Sequence, residues 1–195
     1  MVETIIIALI VAKIKDYKIK PLFKTWAIYP VIFMELVSLV IQICIFNEYY
    51  EVIKYAGILK TIYLCSYLPL IFKYEQYISA IVGSIVMVVG GLLNNLAMYV
   101  NNGMMPVFPK LSYVTGYATV ESFNKVNDIH ILGNSETKLK FLTDVFDIGY
   151  SILSLGDVFI RFYVFIIIFK SIKHINRTVD INSEKNTENL NIQIH

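Results

Sequence analysis

Four ionisable side chains, Glu35, Lys60, Asp157 and Arg161, stand inside stretches of sequence that are otherwise apolar. An isolated charge in hydrocarbon is costly, so each of them needs a partner or a task. Two chemistries suit them. Charges that pair across helices fix register, whereas carboxylates that take up and release protons serve an ion path or a catalytic step. At 1.5 Å of rise per residue, Glu35 lies ~14 Å and Arg161 ~12 Å from one edge of the apolar layer, while Lys60 lies ~12 Å and Asp157 ~14 Å from the other. Depth therefore predicts Glu35 with Arg161 and Lys60 with Asp157. Asp157 and Arg161 also stand four apart on one helix face, close enough to pair directly.

The elements that carry these residues follow from composition. The chain has 195 residues, 56% of them hydrophobic and 16% charged, with a mean hydropathy of +0.61, outside the range of ordinary soluble domains. Its apolar residues fall in long blocks that read as membrane spans. The expected fold class is all-α, a polytopic transmembrane helix bundle of about five spans. The spans fall at about 2–17, 25–46, 52–72, 78–100 and 148–169, with a structured outer loop at 101–147 and a mobile cytoplasmic tail at 175–195. The first block has Glu3 ahead of it and Lys13 and Lys15 behind it. That is the reverse of a signal peptide, so it reads as a retained span.

Loop charge sets the expected orientation. Lys13, Lys15, Lys18, Lys20 and Lys24 crowd one connection, and Lys170, Lys173 and Arg177 follow the last span, so both mark the cytoplasmic side and the N-terminus lies outside. The net charge of +2, with basic residues placed beside apolar blocks, argues against a nucleic-acid partner. The expected partners are membrane lipid and either a second copy or another membrane protein. Cys44 and Cys65 lie in apolar blocks without metal-binding spacing, and no cofactor is expected.

The fourth span is rich in small residues, Ala80, Gly83, Ser84, Gly90 and Gly91, which predicts close helix packing and a central place in the bundle. The outer loop carries many apolar anchors and the turn signals Asn102-Gly103 and Pro106 to Pro109, so short helices on the membrane surface are expected there. Asp128, His130 and Asp144 are too sparse for a metal site.

The run 101–107, Asn-Asn-Gly-Met-Met-Pro-Val, followed by Phe141-Leu142-Thr143-Asp144-Val145 and by Ser154-Leu155-Gly156-Asp157-Val158, resembles a family of small bacterial integral membrane proteins of unknown function, domain of unknown function 5317. The resemblance implies a multi-span protein of the bacterial cell membrane and no particular activity. Its matching positions are Asn95, Asn102, Gly103, Met105, Pro106, Asp144, Ser154, Gly156 and Asp157. They gather at the outer ends of spans four and five, where Asp144 is expected to cap the last helix. Leu155-Gly156-Asp157 also resembles the Gly-x-Gly-Asp motif of intramembrane aspartyl proteases, although Ser154 stands at the first glycine.

Three functional readings follow. The leading one is a non-enzymatic membrane protein with a small polar site for a ligand, ion or partner. The second is a membrane-embedded aspartyl hydrolase using Asp157. The third is a transporter or channel subunit, which five spans would build only as part of an oligomer.

Overall fold

A computed structural model describes the backbone of residues 1–119, 123 and 129–193, with side chains as far as 178, and it is 69% helix. Its helices are α1 (Val2–Ile14), α2 (Lys20–Phe23), α3 (Tyr29–Phe46), α4 (Ala56–Cys65), α5 (Leu68–Lys73), α6 (Tyr77–Val100), α7 (Leu111–Thr115) and α8 (Leu155–Gln193). Three helical stretches are long and apolar enough to cross a membrane: Trp26–Phe46, Tyr50–Lys73 and Tyr77–Val100. The second is articulated, because Pro69 at the start of α5 cannot donate to the preceding turn. The other two long apolar segments fall short for different reasons. α1 has 13 residues, and the opening of α8 carries Asp157, Arg161 and Lys170.

The centre of the fold is α8. It packs most extensively on α6, then on α1, and also touches α2 and α5. Its residues Ile160, Tyr163, Val164, Ile167, Ile168 and Ile172 are buried, and all but Ile160 join α1, α3, α4 and α5 in one apolar cluster. The spacing of three and four residues gives α8 a broad apolar stripe facing several neighbours at once.

The small-residue content of α6 predicts a central helix, but the structure gives that helix a single buried edge. Gly83, Gly90 and Ala97, seven apart, are its buried residues, and Gly83 faces Tyr163 while Gly90 faces Gly156, the repeat of two helices packed side by side in antiparallel sense. At Gly90 an added Cβ would lie 2.4 Å from the carbonyl oxygen of Gly156, so only glycine admits this approach. Val82, Ile85, Val88, Val89 and Leu92 face outward on the rest of α6. The small residues bring one partner close, and the other faces stay uncovered within the chain.

Four helices end with the same turn. Asp16, Glu48, Glu75 and Asn102 adopt left-handed φ values of 58°, 58°, 51° and 59°, each two residues past a helix end. The following amide reaches back five residues: Tyr17 to Ala12 (3.0 Å), Tyr49 to Cys44 (2.9 Å), Gln76 to Ile71 (2.9 Å) and Gly103 to Met98 (2.8 Å). This closure satisfies helix carbonyls that would otherwise lack donors.

Between α6 and α8 the chain forms a cap built largely from short strands, where surface helices are expected from the sequence. β1 (Met105–Val107) pairs in parallel with β2 (His130–Leu132), and the 143–145 segment lies on its other side through Asp144 N–H to the Pro106 carbonyl, 3.1 Å. β3 (Phe146–Asp147) pairs antiparallel with β4 (Ile152–Leu153). The described cap also holds a short 3-10 turn, Lys140–Leu142, and the five-residue α7. Asp147 holds its N-terminus, accepting from the N–H groups of Lys110 (2.6 Å) and Ser112 (2.8 Å) and from the Ser112 hydroxyl (2.6 Å).

Because residues 146–153 are spent on this hairpin, the last helix begins at Leu155 and not at 148. At the other end its backbone continues to Gln193, through the region expected to be a tail, with no Pro or Gly after 174 to interrupt it.

Candidate functional site

The start of α8 is a reciprocal cap. The N–H of Asp157 donates to Ser154 Oγ (3.0 Å), and the N–H of Ser154 donates to Asp157 Oδ2 (3.3 Å), a capping box with aspartate in the third position. Ser154 is fully buried, and its hydroxyl is 2.7 Å from Asn94 Oδ1 on α6. The other oxygen of Asp157 receives Asn94 Nδ2 and Lys60 Nζ, both at 3.4 Å. Lys60 and Asp157, which depth alone places at one level, are thus neighbours. Asp157, Ser154 and Asn94 lie one turn from the Gly90–Gly156 contact that locks α6 to α8.

Of the family-like positions, Asn95 is exposed, since one step along a helix turns the side chain by about 100°; Asn94 takes the place expected for it. Asn102 and Gly103 form the helix-ending turn of α6 and are exposed. Met105 and Pro106 are buried in β1. Gly156 has no room for a side chain, because a Cβ there would meet Asn94 Oδ1 at 2.2 Å. These positions serve closure and packing.

Asp144 does not cap the last helix. Bridged to Val107 in the cap, it is 4% exposed, and its Oδ2 is 3.6 Å from His130 Nε2. Burial pushes its carboxyl up to about 7, with the charge of Asp157 adding to the rise and those of His130 and Lys60 opposing it. Asp147 goes the other way. Although its partial burial acts to raise it, the donors from Ser112, Lys110 and Gly149 hold it below the ordinary carboxylate value. Asp128 lies outside the described residues, and among the described residues no three His, Cys, Asp or Glu side chains are placed to hold a metal ion.

Arg161 pairs with Glu3 of α1 and not with Glu35. Counted from the lysine-rich end, Arg161 stands at the depth of Glu35, yet α8 starts at Leu155, so Arg161 also lies only ~9 Å from the cap end, where Glu3 at the start of α1 meets it. Tyr150 donates to the other oxygen of Glu3 at 3.3 Å. Glu35 instead accepts from the Tyr63 hydroxyl, which lies 2.7 Å from that of Tyr67. The sequence signals for these arrangements were an acid opening an apolar run and two tyrosines spaced i and i+4.

Two cavities connect the cap to the bundle. The outer one, about 280 Å³, is lined by Asp144, His130, Tyr50, Tyr117 and Ser151 among apolar residues. The inner one, about 250 Å³, is lined by Lys60, Tyr63, Ser38 and Gln42 on a similar background. Ile45, Ile53, Ala56 and Tyr117 wall both, and Tyr117 is fixed edge-on to Phe46, with ring centroids 5.4 Å apart.

Fold and site together define a helical protein with three membrane-length helices and a polar cap at one end. Residues 19–169, most of the chain, match a family of unknown function, DUF5317, and the protein belongs to that family. No curated protein and no solved structure matches it.

Proposed function

We propose that this is a five-pass integral membrane protein of the bacterial cell membrane, with its cap outside, that binds a small, mostly apolar solute carrying one amine or similar donor. The three long apolar helices support the membrane setting. α1 and α8 complete the five passes. α1 is ~20 Å long, and Lys13 and Lys15 at its end reach the interface by extending their stems. Lys13, Lys15, Lys18, Lys20, Lys24, Lys73, Lys170 and Lys173 fall at one end, and this end faces the cytoplasm by the positive-inside rule.

The observation that carries the binding reading is the outer cavity: a largely apolar chamber lined by a carboxyl group, Asp144, that is almost fully buried. Its size suits a small ligand, near the lower limit of ~300 Å³ for such sites. An ammonium brought to Asp144 would replace the hydration that burial removes.

The test is thermal stability of the detergent-purified chain with short alkylamines, the matching alcohols and the matching carboxylates. Amines are expected to raise the melting temperature, with ~3 kcal/mol of stabilisation at a hundredfold excess over Kd, and Asp144→Asn removes the effect. Equal shifts from all three classes, or none, would end this reading.

One observation favours the hydrolase reading: the charge of Asp157 reaches Asp144 and adds to the rise that burial causes there. Against it, both oxygens of Asp157 are engaged by the helix cap, Asn94 and Lys60. Turnover of a peptide or ester substrate abolished equally by Asp144→Asn and Asp157→Asn would favour it.

A further inference from the structure

The end of the molecule away from the cap is drawn together on α8. Lys18, after α1, is clamped to Asn176, its N–H donating to Oδ1 at 2.7 Å and its carbonyl accepting from Nδ2 at 3.0 Å. Tyr74, after α5, lies against His174 with ring centroids 5.6 Å apart, and α2 packs on α8 as well. The eight lysines of this end and Arg177 share it with only two acids of the described side chains, Asp16 and Glu75. Among the described residues none of these nine cations forms an ion pair. Lys54, Lys60 and Arg161, nearer the cap, are each paired with an acid: Glu51, Asp157 and Glu3.

Unpaired like charges repel one another unless an outside anion offsets them. The neighbours of the lysines indicate which anion. Phe23, Trp26 and Tyr29 are exposed beside Lys20 and Lys24, and rings set among lysines suit the headgroup level of a bilayer, whereas a soluble phosphate would leave the rings in water. Lys73 is the best-positioned cation. Its ammonium donates to the Thr25 hydroxyl and lies 5.6 Å from the centroid of the Trp26 ring and 5.9 Å from that of Tyr74. None of these three partners is a carboxylate, so the side chain is already ordered while its charge stays available to an anion. We propose that this end of the bundle is a docking surface for acidic phospholipid headgroups, with Lys73 holding one phosphate. The inference rests on the membrane setting proposed above and not on the cavity ligand.

The probe is a mixed micelle of equal parts phosphatidylglycerol and phosphatidylcholine, from which the full chain is released for native mass spectrometry and its bound lipids are counted. Phosphatidylglycerol is expected to exceed phosphatidylcholine by at least ~tenfold at low salt, and the preference falls as ionic strength rises. Lys73→Gln is expected to cut the preference about fivefold, the effect of one cation near the surface, whereas Lys138→Gln in the cap leaves it unchanged. The double variant Lys20→Gln with Lys24→Gln lowers it too and serves if Lys73→Gln does not fold. Inorganic phosphate, compared with chloride at equal ionic strength, is expected to displace no lipid; displacement would give the site to a soluble phosphate and overturn the proposal. Equal binding of the two lipids, or a preference unmoved by salt and by the lysine variants, overturns this inference alone. A chain that binds neither lipid and stays in solution without detergent overturns the membrane setting together with it.

Discussion

Replacing Asp144 by Asn changes one atom in the cap and removes its buried titration. In the folded protein burial raises Asp144 from 3.8 to about 7, while the unfolded chain ionises near the ordinary value. Between those limits the folded state holds a proton that the unfolded state has lost. Stability is therefore fully present below about pH 4 and falls as pH rises to about 7. The difference of about three pH units corresponds to ~4 kcal/mol at the limit, and at ~2–4 °C per kcal/mol for a chain of this size the melting temperature drops by on the order of 10 °C. The assay is thermal unfolding in detergent, followed by the fluorescence of the single tryptophan, Trp26. Asp144→Asn is expected to flatten that decline and to melt higher than the wild type near pH ~8. If the variant keeps the wild-type slope, the penalty does not lie at Asp144 and the reasoning fails.

Gly90→Ala places a methyl group against the Gly156 carbonyl, and overpacking of ~1–3 kcal/mol is expected to lower the melting temperature, whereas Gly91→Ala, in open space, leaves it unchanged. Ser154→Ala removes the reciprocal cap of α8 and is expected to cost ~1 kcal/mol, measured in the same way. Arg161→Leu strands Glu3 and is expected to destabilise by several kcal/mol, ~3–5 for a buried pair broken on one side; the double variant with Glu3→Leu recovers most of that loss, and a double variant as unstable as the sum of its parts would refute the pairing.

The apolar blocks located the long helices because lipid demands long runs of apolar side chains whatever their neighbours. Lys60 and Asp157 are neighbours as depth suggested, although Asp157, counted from 148, stands only ~3 Å inside a helix that begins at Leu155. Counting paired Arg161 with Glu35 because it compared only the four charges inside the apolar blocks and left out Glu3 at the head of α1; the start of α8 was missed because the hairpin of residues 146–153 is too short to register as strands in an apolar pattern. The cap was hidden for a related reason. Strands of two or three residues have no periodicity, and the parallel pairing of β1 with β2 is a long-range event. Asn94 and Asn95 look equivalent in sequence; only the register of α6 against α8, set by Gly83, Gly90 and Ala97, turns Asn94 inward. Gly103, Asn102 and Asp144 attracted attention as site residues, and of these Asp144 alone lines a cavity.

Everything proposed for the cavities depends on the cap facing outward from a membrane that α1, α3, α4–α5, α6 and α8 cross. The most direct test replaces Cys44 and Cys65 by Ser and introduces one cysteine at a time, Glu136→Cys in the cap or Lys24→Cys at the lysine-rich end, in a bacterial host expressing the chain. A membrane-impermeant maleimide applied to intact spheroplasts is expected to label Glu136→Cys at once and Lys24→Cys only after lysis. Labelling of both before lysis, or of Lys24→Cys alone, would contradict the account.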